Sequence, residues 1–242
     1  MDITKLTKPA RKLLPLKTCG AVIVAAGNAS RMGGIDKVMA ELNGEPMIAR
    51  TVRIFQECDA ISEIVIVTRE DLIIPITDLC RDMYASKVRA VVRGGKSRQE
   101  SVGQGLNALS SKVKLAAIHD GARPLITWQV IDRTVRAANS YGAAAPAIPV
   151  KDTIKVVEGR VVKNTPDRST LFAVQTPQVF DFDLLRGALK KAEQDGAAVT
   201  DDCSAVERMG MSVKIVEGDE RNIKVTTPMD LKIAEMLLEE MV

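Results

Sequence analysis

The sequence predicts an α/β fold built on a mainly parallel sheet, and three observations carry that expectation. Short runs rich in Val, Ile and Ala alternate with amphipathic segments of helical length along most of the 242 residues. Three of these runs lead into loops at Gly27, Gly94 and Asp120, the carboxyl-end positions where open parallel sheets collect their ligands. The composition, 46% hydrophobic and 27% charged, suits one domain with a sizeable core.

The elements follow in order. Residues 21–25 (Ala-Val-Ile-Val-Ala) are apolar throughout, as a strand covered on both faces must be. A helix is expected at about 46–57, a strand at 63–68 and a helical stretch reaching Tyr84. Strand 88–92, helix 97–109, strand 115–119 and helix 127–141 continue the rhythm. It then breaks: residues 151–165 read as two alternating strands around a Glu158-Gly159-Arg160 turn, with little apolar surface for a core of their own. Such an arm either packs on the parent sheet or embraces a second subunit, and the expectation is the second, a homodimer. After it come residues 174–176, helix 181–194, residues 200–209, strands 212–216 and 222–226, and a closing helix from Pro228. Residues 1–18, broken by prolines and charges, are expected to form a mobile tail before a domain spanning 19–242.

Composition also narrows function. A net charge of +3, with cations and anions interleaved and 3% aromatic residues, gives no basic stripe or stacking platform for nucleic acid. No stretch approaches the ~20 apolar residues of a membrane span. Cys19, Cys58, Cys80 and Cys203 form no C-x-x-C pair, so neither a disulfide framework nor a thiolate metal site is legible, and a cytoplasmic setting is expected. His119 is the single histidine and G-x-S-x-G is absent, which excludes a nucleophilic triad and a multi-histidine metal site. Strand alternation turns His119 away from the direction of Asp120, so it is expected to be structural.

Two phosphate-loop patterns fail on spacing. A dinucleotide fingerprint would need glycine where Ala29 stands, and a P-loop ending in Gly95-Lys96-Ser97 would need glycine at Ala90. What remains after the first strand is Ala25-Ala26-Gly27, a polar loop, Arg31-Met32-Gly33 and Lys37. Small residues there admit a nucleoside against the backbone, and two cations with free loop N–H groups can surround a polyphosphate. Gly94-Gly95 permits a second close approach, with Ser97 able to cap the following helix. Asp120, at the tip of an apolar strand beside Arg123, is either half of an ion pair that holds the loop or the hard oxygen ligand that nucleotide-bound magnesium would need, and the expectation is the second.

These motifs, with Arg98 and Ser101-Val102, Val150-Lys151-Asp152-Thr153-Ile154-Lys155, Gln175-Thr176-Pro177-Gln178, Thr200-Asp201-Asp202 and Asn222-Ile223-Lys224-Val225-Thr226, occur in one order. In that order they resemble the 2-C-methyl-D-erythritol 4-phosphate cytidylyltransferases of the non-mevalonate isoprenoid pathway, within the wider sugar-phosphate nucleotidyltransferases. The likeness runs from about Cys19 to the C-terminus and implies a single Rossmann-like nucleotidyltransferase domain with a β-hairpin dimerisation arm at about 150–170. It implies in-line attack of the acceptor phosphate on the α-phosphorus of CTP, with Mg²⁺ present. Arg31, Lys37 and Lys224 would then be the catalytic cations and Asp120 the metal ligand. Ala25, Ala26, Gly27, Gly95, Ser101 and Gly121 would line the cytidine pocket, and Arg123, Thr153, Arg168 and Thr176 would hold the acceptor. Lys96 stands where a familiar member carries an acid, and the loop from Arg31 to Lys37 is one residue shorter, so Lys37 is assigned by motif order. A cytidylyltransferase for another polyol phosphate, such as ribitol 5-phosphate, and a non-catalytic nucleotide-binding module are the rival expectations.

Overall fold

The computed structural model describes residues 15–27 and 38–240. Its centre is an eight-stranded sheet, mixed but parallel at its heart. β1 (Cys19–Ala25) lies between β4 (Glu63–Thr68) and β6 (Leu115–Asp120), parallel to both, and β5 (Val88–Arg93) extends the sheet beyond β4. Helices α1 (Met47–Glu57), α2 (Ile73–Asp82) and α4 (Trp128–Tyr141) cover one face, while α3 (Arg98–Ala108), α5 (Phe182–Gln194) and α6 (Asp202–Glu207) cover the other.

The period of two along β1 divides the core. Ala21, Ile23 and Ala25 join Phe55, Val52 and Ile131 on one side, and Val22 joins Val102, Leu106 and Leu185 on the other. Helix α3 comes so close that a Cβ on Gly105 would lie 2.3 Å from Val22 Cγ1. Glycine is what allows that approach.

Where β1 parts from β6, the chain changes its direction of winding. The carboxyl ends of β1, β5 and β6 therefore open into one crevice, with the loops at Gly27, Gly94 and Asp120 around it.

Most expected elements are present, with informative differences. β7 (Ala143–Pro149) and β11 (Gln178–Asp181) were not anticipated, and neither was the ladder of β2 (Glu41–Leu42) and β3 (Glu45–Pro46). That ladder turns through Asn43 and Gly44, both at positive φ, an Asn-Gly hairpin signal present in the sequence. β7 pairs antiparallel with β11 and β10 (Phe172–Val174) and parallel with β12 (Lys214–Glu217). The strand expected at 222–226 does not form. Val225 donates one backbone bond to the Ala122 carbonyl at 2.8 Å, and Asn222 is committed to Gln175 and Thr176, so that segment is a clip with no ladder. The closing helix is α7 (Pro228–Glu239), capped by Thr227.

The arm is a hairpin of β8 (Val156–Glu158) and β9 (Val161–Asn164), turning at Gly159 and Arg160, both at positive φ. Its residues are exposed throughout, including Val157, Val161 and Val162. The mobile tail expected at 1–18 falls largely outside the described residues. Its described end is tied to α4, since Asn139 donates to the Pro15 carbonyl and accepts from the Lys17 N–H.

Candidate active site

Asp120 is the last residue of β6, and three cations from three separate segments converge on it. Lys224 Nζ lies 2.8 Å from Oδ2, Arg123 Nε 3.7 Å from Oδ2 and an Arg98 nitrogen 3.8 Å from Oδ1. Burial alone would raise the Asp120 pKa, but Lys224, Arg98 and Arg123 outweigh it and hold the carboxyl down at about 2. The group is an anion at every physiological pH.

Arg98 is shared. It also meets Asp202 at 2.7 Å, a carboxylate almost fully buried at the start of α6. Burial pushes the Asp202 pKa up, with Arg98 opposing the shift. Gln178 fixes this corner by accepting the backbone N–H groups of Asp202 and Cys203 and donating to the Asp201 carboxylate. With Lys96 also on the cavity wall, four cations against these two carboxylates give the crevice a net positive charge, which favours an anionic ligand.

Behind Asp120, His119 points into the opposite layer, as its place on the strand requires. Its Nε2 faces the Arg123 carbonyl at 3.3 Å, and a carbonyl only accepts, so Nε2 carries the proton. Nδ1 therefore accepts from the Thr176 hydroxyl at 3.0 Å, and the same hydroxyl oxygen accepts the Asp120 N–H at 3.1 Å. The ring is fully buried against Phe55, and burial, chiefly, lowers its pKa to about 4. It is a neutral structural residue.

A cavity of about 370 Å³ opens in front of Asp120. Of the residues expected to hold the nucleotide, Ala25, Ala26, Gly27, Gly95 and Ser101 line it, together with Asp120 and Lys224. Gly121 sits just behind, where a Cβ would lie 3.2 Å from that of Ala25. Arg123 borders the site through Asp120 and donates to the Asn222 carbonyl at 2.6 Å. Thr176 is buried with its hydroxyl engaged as above, while Thr153 and Arg168 lie exposed on the arm, away from the cavity within one chain. Arg31 and Lys37 lie outside the described residues.

Sequence reading had assigned no role to Arg98 and Asp202. Both stand in recognisable motifs, but 104 positions apart (202 − 98), and only the fold shows that they meet. The clip between Gln175 and Asn222 was equally hidden.

The sequence matches the family described as 2-C-methyl-D-erythritol 4-phosphate cytidylyltransferase over residues 19–240. The chain belongs to that family. A 2-C-methyl-D-erythritol 4-phosphate cytidylyltransferase of Caldanaerobacter subterraneus is 44% identical over 227 residues, covering 91% of this chain and 98% of the relative. One from Geobacillus kaustophilus is 46% identical over 219 residues, covering 90% and 96%. Among solved structures, the 4-diphosphocytidyl-2C-methyl-D-erythritol synthase of Anaerococcus prevotii superposes with a TM-score of 0.84 at 31% identity, over 92% of this chain and 99% of that one. The chain thus shares both the sequence and the mixed α/β architecture of the cytidylyltransferase family.

Proposed function

We infer that the protein transfers the cytidylyl group of CTP to the phosphate of 2-C-methyl-D-erythritol 4-phosphate, giving 4-diphosphocytidyl-2-C-methyl-D-erythritol and pyrophosphate in isoprenoid biosynthesis. Beside family membership, the observation that carries this reading is the Asp120–Lys224 pair at the edge of a small-residue cavity with a net positive rim. An acceptor phosphate oxygen bonds to the α-phosphorus as the bond from that phosphorus to the bridging oxygen of pyrophosphate breaks. A phosphate is already a nucleophile at neutral pH, so no general base is needed, consistent with a buried neutral His119. Catalysis consists of positioning and charge neutralisation.

Lys224 is the cation for the phosphates being joined, with Arg31 and Lys37 assigned to the triphosphate by their motifs. Asp120 suits a divalent cation: it is anionic and borders the cavity, and magnesium is commonly held by one or two carboxylates plus substrate phosphates. No cluster of three acidic, histidine or cysteine side chains exists among the described residues, so such an ion would be held jointly with the nucleotide. Bound there, magnesium would offset phosphate charge. Arg123 and Thr176 belong to the acceptor side, joined by Thr153 and Arg168 from the arm of a second subunit. That homodimer is supported by the exposed valines of a hairpin without its own core. Four buried free thiols suit a reducing, cytoplasmic setting.

The test is pyrophosphate release with Mg²⁺ and CTP, comparing 2-C-methyl-D-erythritol 4-phosphate with ribitol 5-phosphate. Turnover with the first alone is expected. Turnover with only the second overturns the acceptor assignment, and release with neither overturns the enzyme assignment.

A further inference from the structure

Residues 218–227, which deliver Lys224, run from β12 to α7 with no strand or helix of their own. One buried amide grips the first half of that segment. Gln175 follows β10, its N–H donates to the Pro146 carbonyl of β7 at 2.8 Å, and the residue is only 4% exposed. Its Nε2 donates to the carbonyls of Asp219 at 2.7 Å and Asn222 at 3.5 Å, while Oε1 accepts the Asp219 N–H at 3.2 Å and the Asn222 side-chain amide at 3.4 Å. Gly218 leaves room for it, since a Cβ there would lie 2.6 Å from Oε1.

Asn222, fully buried, carries the grip into the site. Its Nδ2 also donates to the Thr176 carbonyl at 3.0 Å, and its own carbonyl accepts from Arg123 at 2.6 Å. Two residues on, Lys224 reaches Asp120, and Val225 closes the segment on the Ala122 carbonyl. Gln175 is not itself among the residues that line the cavity. A lysine is a point charge on a flexible stem, so the backbone it springs from decides where that charge acts. In a transfer step, a displacement of about 1 Å costs as much as roughly 10²-fold in rate.

We propose that Gln175 is a positioning residue for cytidylyl transfer: by closing the turn from Asp219 to Asn222 it aims Lys224 at the phosphates being joined. This rests on the role given to Lys224 above. Gln175→Met keeps the length of the side chain and removes its hydrogen bonds. Gln175→Glu keeps an acceptor for the Asp219 N–H but turns a second oxygen on the Asp219 and Asn222 carbonyls.

The experiment is a double-mutant cycle on kcat for pyrophosphate release with saturating CTP, 2-C-methyl-D-erythritol 4-phosphate and Mg²⁺, pairing Gln175→Met with Lys224→Ala. Each rate is taken per folded molecule, counted by the enthalpy of thermal unfolding. Gln175→Met is expected to lower kcat about tenfold in the otherwise wild-type enzyme and less than about threefold in Lys224→Ala, where no cation is left to aim. An equal fall in both backgrounds makes Gln175 a structural residue, or one that acts through the neighbouring Thr176, and overturns the proposal. An unchanged kcat in Gln175→Met overturns it too, and both results leave cytidylyltransfer intact. Wild type without turnover overturns the functional reading itself. Where Gln175→Met does not fold, Gln175→Glu takes its place in the same cycle: a loss that shrinks in Lys224→Ala supports the proposal, and a loss equal in both backgrounds refutes it.

Discussion

Lys224 Nζ sits 2.8 Å from Asp120 Oδ2, so the cation assigned to the phosphates rests on the carboxylate assigned to the metal. Each partner holds the other at the cavity edge. Removing the cation should act on the transition state: Lys224→Ala is expected to lower kcat by roughly 10²–10³, about 3–4 kcal/mol, with a smaller change in KM for CTP. Asp120→Asn should weaken the dependence of the rate on magnesium concentration. A Lys224→Ala enzyme with kcat unchanged and only KM raised would make Lys224 a binding residue, and an Asp120→Asn enzyme with the wild-type magnesium profile would remove the metal assignment.

Asp202 carries a different expectation, because it is buried and Arg98 is its cation. Removing one partner strands a charge, which costs about 3–5 kcal/mol when a buried pair is broken. Arg98→Met should therefore lower Tm in calorimetry by roughly 6–20 °C for a chain of this size. The double variant Arg98→Met/Asp202→Leu should regain more than half of that loss, since no charge is left unpaired. A single variant with wild-type Tm would contradict the argument.

The arm predicts an assembly. The proposed homodimer should sediment as a dimer at micromolar concentration, and replacing residues 156–164 by two glycines should convert it into a monomer and raise KM for the acceptor if Thr153 and Arg168 act across subunits. A variant that stays dimeric places the interface elsewhere.

Asp230 gives the pH expectation. Its carboxylate accepts the Thr226 and Thr227 N–H groups and the Thr226 hydroxyl, each at 2.8 Å, and so pins the start of α7 beside Lys224. Burial works upward on its pKa, but these bonds prevail and hold it below the ordinary carboxylate value. A depressed folded pKa stabilises above the unfolded value, about 3.9, and that stabilisation is lost as pH falls through the folded value. Asp230→Ala should cost ~1–2 kcal/mol at neutral pH by urea denaturation, as a lost helix cap does, with the gap to wild type narrowing below pH about 4. A gap constant with pH would rule out the charge as its source.

How far the sequence reveals this molecule depends on where each signal resides. β1, β4 and β6 are legible because strands of a parallel core are largely apolar runs with turn residues after them, and the edge strand β5 by its valines before Gly94-Gly95. β7 is Ala-Ala-Ala-Pro-Ala-Ile-Pro, a run of poor strand formers that is extended because β10, β11 and β12 pair with it. The segment Asn222-Ile-Lys-Val-Thr errs the other way: it alternates like a strand but is held by the buried amides of Asn222 and Gln175. In the site, Asp120, Lys224 and the glycine loops could be found by motif. The Arg98–Asp202 pair depends on two side chains far apart in the chain meeting in the fold, which no spacing rule encodes.

The clip that carries Lys224 also bears on synthesis. The cavity walls come from residues 24–122, whereas the cation arrives 104 residues after Asp120 (224 − 120), tied down by the Val225 bond to Ala122 and by α7. The other residues of the cavity wall leave the ribosome before the segment that carries Lys224. On the proposed role of Lys224, the site therefore lacks this cation until that later segment has been made and clipped in place.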